Sequence, residues 1–178
     1  MSALVYYKNR LYGDFIGQSQ DDRLDTYCHM KKVFPSKHGD AYLGVVGREL
    51  LDKHQDIIDL AILTIYGKAT DDQRMELHSL TFGRSCVIMT RDNTYAFDSM
   101  SREFNILKST RVNCWGNGQV HVMIGVRLGL SVLDAISVYH RVAYGIPRTK
   151  ELDFIAVSQD ECSPIDLNNY LPKEEACE

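Results

Sequence analysis

Proline is scarce in this chain, four residues in 178, and tryptophan occurs once. The 12 glycines are scattered as punctuation, and no Pro-rich or Gly/Ser-rich linker or internal repeat divides the chain. Charge of one sign is missing too: 20 Lys and Arg stand against 24 Asp and Glu, a net charge of -4. That balance leaves no electrostatic footprint for nucleic acid and no polybasic run for a membrane surface. Apolar runs are broken by Asp, Arg or His well short of the roughly 20 residues that a bilayer span needs. Neither nucleic acid nor membrane is therefore an expected partner. The five cysteines are odd in number and dispersed, without a CxxC pair. The six histidines show neither HExxH nor HxxxH spacing. Reduced thiols, no metal site and no cofactor are expected. The start, Met1-Ser2-Ala3-Leu4, lacks the basic-then-apolar order of a signal peptide, so the expected location is cytoplasmic.

What is present is the composition of one folded domain, 44% apolar and 25% charged. Ala3 to Tyr7 and Leu11 to Ile16 read as a hairpin around Asn9-Arg10. Thr26 to Phe34 and Ala41 to Val46 read as a second, around Pro35 to Asp40. From Glu49 to Tyr66 the apolar residues Leu50, Leu51, Ile57, Ile58, Ala61, Ile62 and Ile65 share one helical face, and Gly67 suits the cap. Thr70 with Gln73 forms a capping box for a helix to about Leu80. Ser85 to Arg91, Thr94 to Asp98 and Glu103 to Lys108 read as strands. Gly116-Asn117-Gly118 opens a helix through Arg127. Ser131 with Asp134 caps another that ends before Gly145 and Pro147, and Leu152 to Val157 is a last strand.

Hairpins combined with helix pairs specify an α+β fold rather than alternating βαβ units. Two antiparallel sheets packed face to face, with a helical layer outside each, bury every apolar face: a four-layer αββα sandwich. A single domain is expected over 1–158. The polar segment 159–178 is expected to be a tail, either a surface extension or loosely ordered.

Four local patterns stand out in order. Ser2-Ala3-Leu4-Val5 starts a strand, and Gly17-Gln18-Ser19-Gln20 ends its partner. Lys31-Lys32-Val33 and Leu43-Gly44-Val45 follow, and Cys114-Trp115-Gly116-Asn117-Gly118 precedes the last helix pair. In order and spacing these resemble the proteasome β-subunit and HslV-type peptidase family of N-terminal nucleophile hydrolases, over residues 2 to 158. The resemblance implies a nucleophile at Ser2 after removal of Met1, an active-site lysine at Lys32 and an oxyanion N–H at Gly44. It matches Gln18 to the family's aspartate, and a neutral amide there can hydrogen-bond to the lysine without neutralising it. Asn117 stands roughly where the family often has a serine. The late helix, where the family keeps an Asp and a Ser near the nucleophile, reads His140-Arg141-Val142-Ala143.

Each of these residues also has an ordinary reading. Ser2 can belong to a terminus that keeps Met1, Lys32 can face solvent beside Lys31, and Gly44 can be glycine because packing requires it. Two functions follow. The first is a proteasome-like hydrolase cleaving amide or peptide bonds. The second is an inactive relative serving as a structural ring or partner-binding subunit. The resemblance further implies a homo-oligomeric ring and the possibility of an ATP-dependent unfoldase as partner. No GxSxG elbow, P-loop or dinucleotide fingerprint offers a competing chemistry.

Overall fold

The computed structural model describes residues 3–14, 16–18, 27–29, 31–47, 52–98, 101–144 and 154–171, with backbone alone for 16–18, 27–29, 144 and 154. The chain opens with strands β1 (Leu4–Tyr7), β2 (Arg10–Asp14), β3 (Ile16–Gln18), β4 (Tyr27–His29), β5 (Val33–Pro35) and β6 (Ala41–Gly47). Helices α1 (His54–Ile65) and α2 (Asp71–Thr81) follow, then β7 (Arg84–Thr90), β8 (Thr94–Asp98), β9 (Glu103–Ile106) and β10 (Asn113–Trp115). Helices α3 (Gln119–Arg127) and α4 (Val132–Tyr144) precede β11 (Phe154–Ser158).

The first hairpin turns on Lys8 and Asn9, with φ of 50° and 58°, one residue earlier than the sequence suggests. Two consecutive positive φ values match the right-handed twist of the flanking strands and fix the register, Leu4 opposite Gly13. This hairpin is the centre of one antiparallel sheet, ordered β10-β1-β2-β11. The second sheet is β5-β6-β7-β8-β9.

The expected strand from Thr26 to Phe34 is two strands. Tyr27–His29 pairs with Ile16–Gln18 in a two-stranded ribbon, while Val33–Pro35 pairs with β6. A β-prone run without Gly or Pro carries no mark of where it changes partner. The helix expected from Glu49 begins at His54, because Asp52 has φ 51° and cannot belong to it. Residues 48–51, including Leu50 and Leu51, lie outside the described residues. Gly67 closes α1 as expected, with φ 68° and its N–H on the Thr64 carbonyl at 3.1 Å. The capping box of α2 is present: Thr70 Oγ1 accepts from Gln73 N–H at 3.3 Å, and Gln73 Oε1 accepts from Thr70 N–H at 2.9 Å. Ser131 Oγ accepts from Asp134 N–H at 3.1 Å at the start of α4, while Gly145 and Pro147 lie outside the described residues.

Strand alternation sends side chains into three cores. Leu43, Val45 and Ile88 meet Ile57, Ile58, Ile62 and Leu77 of α1 and α2. Leu4, Tyr6 and Leu11 meet Val33, Val46, Val87 and Met89 between the sheets. Ala3, Val5 and Cys114 meet Val122, Val126, Ala135, Ile136 and Tyr139 of α3 and α4. The fold is the α+β, four-layer αββα sandwich. No described helix is long and apolar enough to cross a membrane.

The segment after Ser158 is not a loose extension as far as Leu171. Gln159 N–H binds the Asn9 carbonyl at 2.9 Å and Ser163 N–H the Gly39 carbonyl at 3.0 Å. Cys162 and Tyr170 are buried, and the Tyr170 hydroxyl donates to Asp40 Oδ1 at 2.6 Å. A few buried anchors among polar residues suffice to dock it, and composition hides them.

Candidate active site

The hairpin register that sets Leu4 opposite Gly13 runs one step further to Ala3 and Asp14, whose N–H reaches the Ala3 carbonyl at 3.1 Å. Asp14 is 1% exposed. Its carboxylate turns back along the chain: Oδ2 accepts the Ala3 N–H at 3.0 Å. Gly13 permits β5 to approach here, since a Cβ on it would lie 2.8 Å from Val33 Cγ2 and 3.4 Å from Lys32 Cβ.

Lys32 and Lys31 part company across the pleat. Lys31 is exposed, with its ammonium 5.5 Å from the Phe34 ring centroid, and Lys32 is 6% exposed. The Lys32 carbonyl is fixed by Val45 N–H at 2.9 Å. Its ammonium pairs with Asp14 Oδ1 and also donates to the Asp14 carbonyl at 2.9 Å. A buried ion pair survives desolvation only when hydrogen bonds satisfy it, and here they do.

A third group completes the cluster. His140, on α4, is fully buried, with Nε2 2.8 Å from Asp14 Oδ2. Asp14 thus holds an ammonium, a backbone N–H and an imidazole from three separate parts of the chain.

The sequence reading is corrected at two positions. The carboxylate beside Lys32 is Asp14, not an absent group replaced by Gln18; Gln18 ends β3, and its side chain lies outside the described residues. Gly13-Asp14 carried the signal, a Gly-Asp pair at the end of the returning strand. Gly44 also takes a different part. Ser36 N–H binds the Ala41 carbonyl and Val45 N–H binds the Lys32 carbonyl, so odd-numbered residues of β6 face β5. Alternation turns the Gly44 N–H toward Val87 on β7, into the ladder and away from Lys32. The need for glycine comes from packing: a Cβ on Gly44 would lie 2.9 Å from Leu4 Cδ1 and 3.1 Å from Leu11 Cδ2.

Asn117 is exposed in the turn between β10 and α3. Ser2 lies outside the described residues, one position before Ala3. Cys114, on β10, has its thiol pushed up to about 12 by burial and then by the Asp14 charge, which leaves it an apolar group rather than a nucleophile. Among the described residues no three His, Cys, Asp or Glu side chains could hold a metal ion.

The sandwich is the fold of the proteasome and HslV type. Eukaryotic HslV from Trypanosoma brucei superposes with a TM-score of 0.52 at 12% identity, covering 87% of this chain and 97% of that one. BPH of Thiobacillus denitrificans gives a TM-score of 0.49 at 11% identity, covering 88% and 96%. No family model and no curated protein matches the sequence.

Proposed function

We propose that this chain is a proteasome-like N-terminal nucleophile hydrolase that cleaves amide or peptide bonds with Ser2, exposed by removal of Met1. One observation carries the reading: the residue after Ser2 is tied by its own N–H to a buried carboxylate that also holds a buried lysine. In this reading Ser2 Oγ attacks the substrate carbonyl, and the Ser2 α-amine takes the hydroxyl proton and passes it to the leaving amine. An α-amine has an unperturbed pKa of about 7.7–8.0, so a useful fraction is free base near neutrality. The Lys32 ammonium, held on the carboxylate that binds the Ala3 N–H, favours that free base, and Asp14 balances its charge. Water then hydrolyses the Ser2 acyl ester.

A second reading, an inactive ring or partner-binding subunit, draws on the outer helical layer. Val120, Ile124, Leu128 and Val142 on and beside α3 and α4 are 52%, 52%, 79% and 76% exposed. The hydrolase reading shares that surface, since a homo-oligomeric cytoplasmic ring, with an unfoldase as a further partner class, is part of it. A monomer mass in light scattering would remove the ring.

The deciding experiment is the intact mass of the purified chain with and without a β-lactone acylating probe. Loss of Met1 and a single adduct, absent in Ser2→Ala, is expected; retained Met1 supports the second reading. Lys32→Ala should slow acylation by about 100-fold or more, the scale of a lost acid–base contribution. An undiminished rate would take Lys32 out of the mechanism.

A further inference from the structure

His140 is the one member of the buried cluster with no part in the proposed chemistry. It reaches Asp14 across 126 residues of sequence, from the helical layer into the end of the first hairpin. Carboxylate oxygens only accept, so Nε2 carries the hydrogen and donates to Oδ2 at 2.8 Å. The other ring nitrogen, Nδ1, is buried with no hydrogen-bond partner among the described residues. A leucine at this place on α4 would join the neighbouring apolar cluster without an orphaned polar atom. Among the described residues, what the imidazole adds over an apolar side chain is its Nε2 bond.

That bond has a geometric consequence. Oδ2 is shared by His140 and the Ala3 N–H, while Oδ1 and the Asp14 carbonyl face Lys32. Donors from two directions on Oδ2 fix the plane of the carboxylate, and the plane fixes where the Lys32 ammonium stands. We propose that His140 is a positioning residue: it locks the Asp14 carboxylate so that Lys32 is held against the N-terminal strand. The inference rests on the hydrolase reading above. It gives the late helix a role at the site with an imidazole, where the resemblance leads one to expect Asp and Ser.

The test uses the full chain and two substitutions. His140→Gln keeps an N–H donor near the Nε2 position, and His140→Leu keeps bulk without a donor. With both folded by circular dichroism, His140→Leu should slow β-lactone acylation of Ser2 toward the roughly 100-fold that a misplacement of about an ångström can cost. His140→Gln should recover most of that rate. Equal rates in all three chains, or equal slowing in both variants, would overturn the positioning role while leaving the hydrolase reading intact. If the wild-type chain takes no probe, the hydrolase reading fails and the positioning role falls with it. The proton-coupled 15N spectrum of the wild-type imidazoles is a readout independent of activity and of variant folding. A slowly exchanging Nε2–H that shifts in Asp14→Asn is expected, and its absence overturns the hydrogen bond itself.

Discussion

Two buried aspartates, Asp14 and Asp40, are 1% and 2% exposed, and their surroundings have little else in common. Asp14 gathers an ammonium, a backbone N–H and an imidazole. Asp40 gathers hydroxyls: Ser36 Oγ and Tyr170 OH each donate to Oδ1 at 2.6 Å. The first arrangement concentrates charge beside the start of the chain, and the second fastens the last described residues to the turn between β5 and β6. Depth of burial does not separate a candidate site from a clasp. The chemistry of the partners does.

The most damaging change should be at the charged cluster. Asp14→Ala leaves the Lys32 ammonium buried without its counter-ion, a loss of about 3–5 kcal/mol by urea denaturation. Asp40→Ala strands no buried cation among the described residues, so a smaller loss of about 1–3 kcal/mol is expected. Equal losses would erase the distinction between the two regions.

Tyr170→Phe removes a single donor from the clasp and should cost about 1–2 kcal/mol. Amide exchange should quicken across 159–171, while acylation of Ser2 keeps its wild-type rate. A slowed acylation would show that the two regions are coupled.

The last effect is one both regions share, and it emerges only at alkaline pH. Burial is the largest cause raising the thiols of Cys114 beside Asp14 and Cys162 beside Asp40, each from 9.0 to about 12. Folded thiols stay neutral where unfolded ones ionise, so their contribution is whole below pH about 9 and is lost as pH rises toward 12. Urea midpoints should fall across that window, and less steeply in Cys114→Ala. Flat midpoints would show that these thiols are not protected.

Much of the architecture was legible from local pattern. The first hairpin, the capping box at Thr70, the Ser131 cap and the period of α1 each arise from neighbouring residues, whose preferences act before tertiary contacts form. The site was legible only in part. Lys32 stood out, but its direction was open until the pleat placed Lys31 outside and Lys32 within. Asp14 lay unremarked inside the expected strand Leu11 to Ile16, and Gln18 drew attention in its place. His140 drew notice only as a departure from the Asp and Ser that the resemblance leads one to expect on the late helix.

The sequence by itself determined most of the elements and their order, and hence the layered fold, because 2- and 3.6-residue periodicities are local properties of the chain. Only the tertiary structure decided which charged residues meet. Lys32 and His140 reach Asp14 across 18 and 126 residues, and no local periodicity encodes a contact at such separations. It likewise decided that the Gly44 N–H belongs to the sheet. A backbone group's direction depends on which neighbouring strand it pairs with, and that pairing exists only once the sheet has formed.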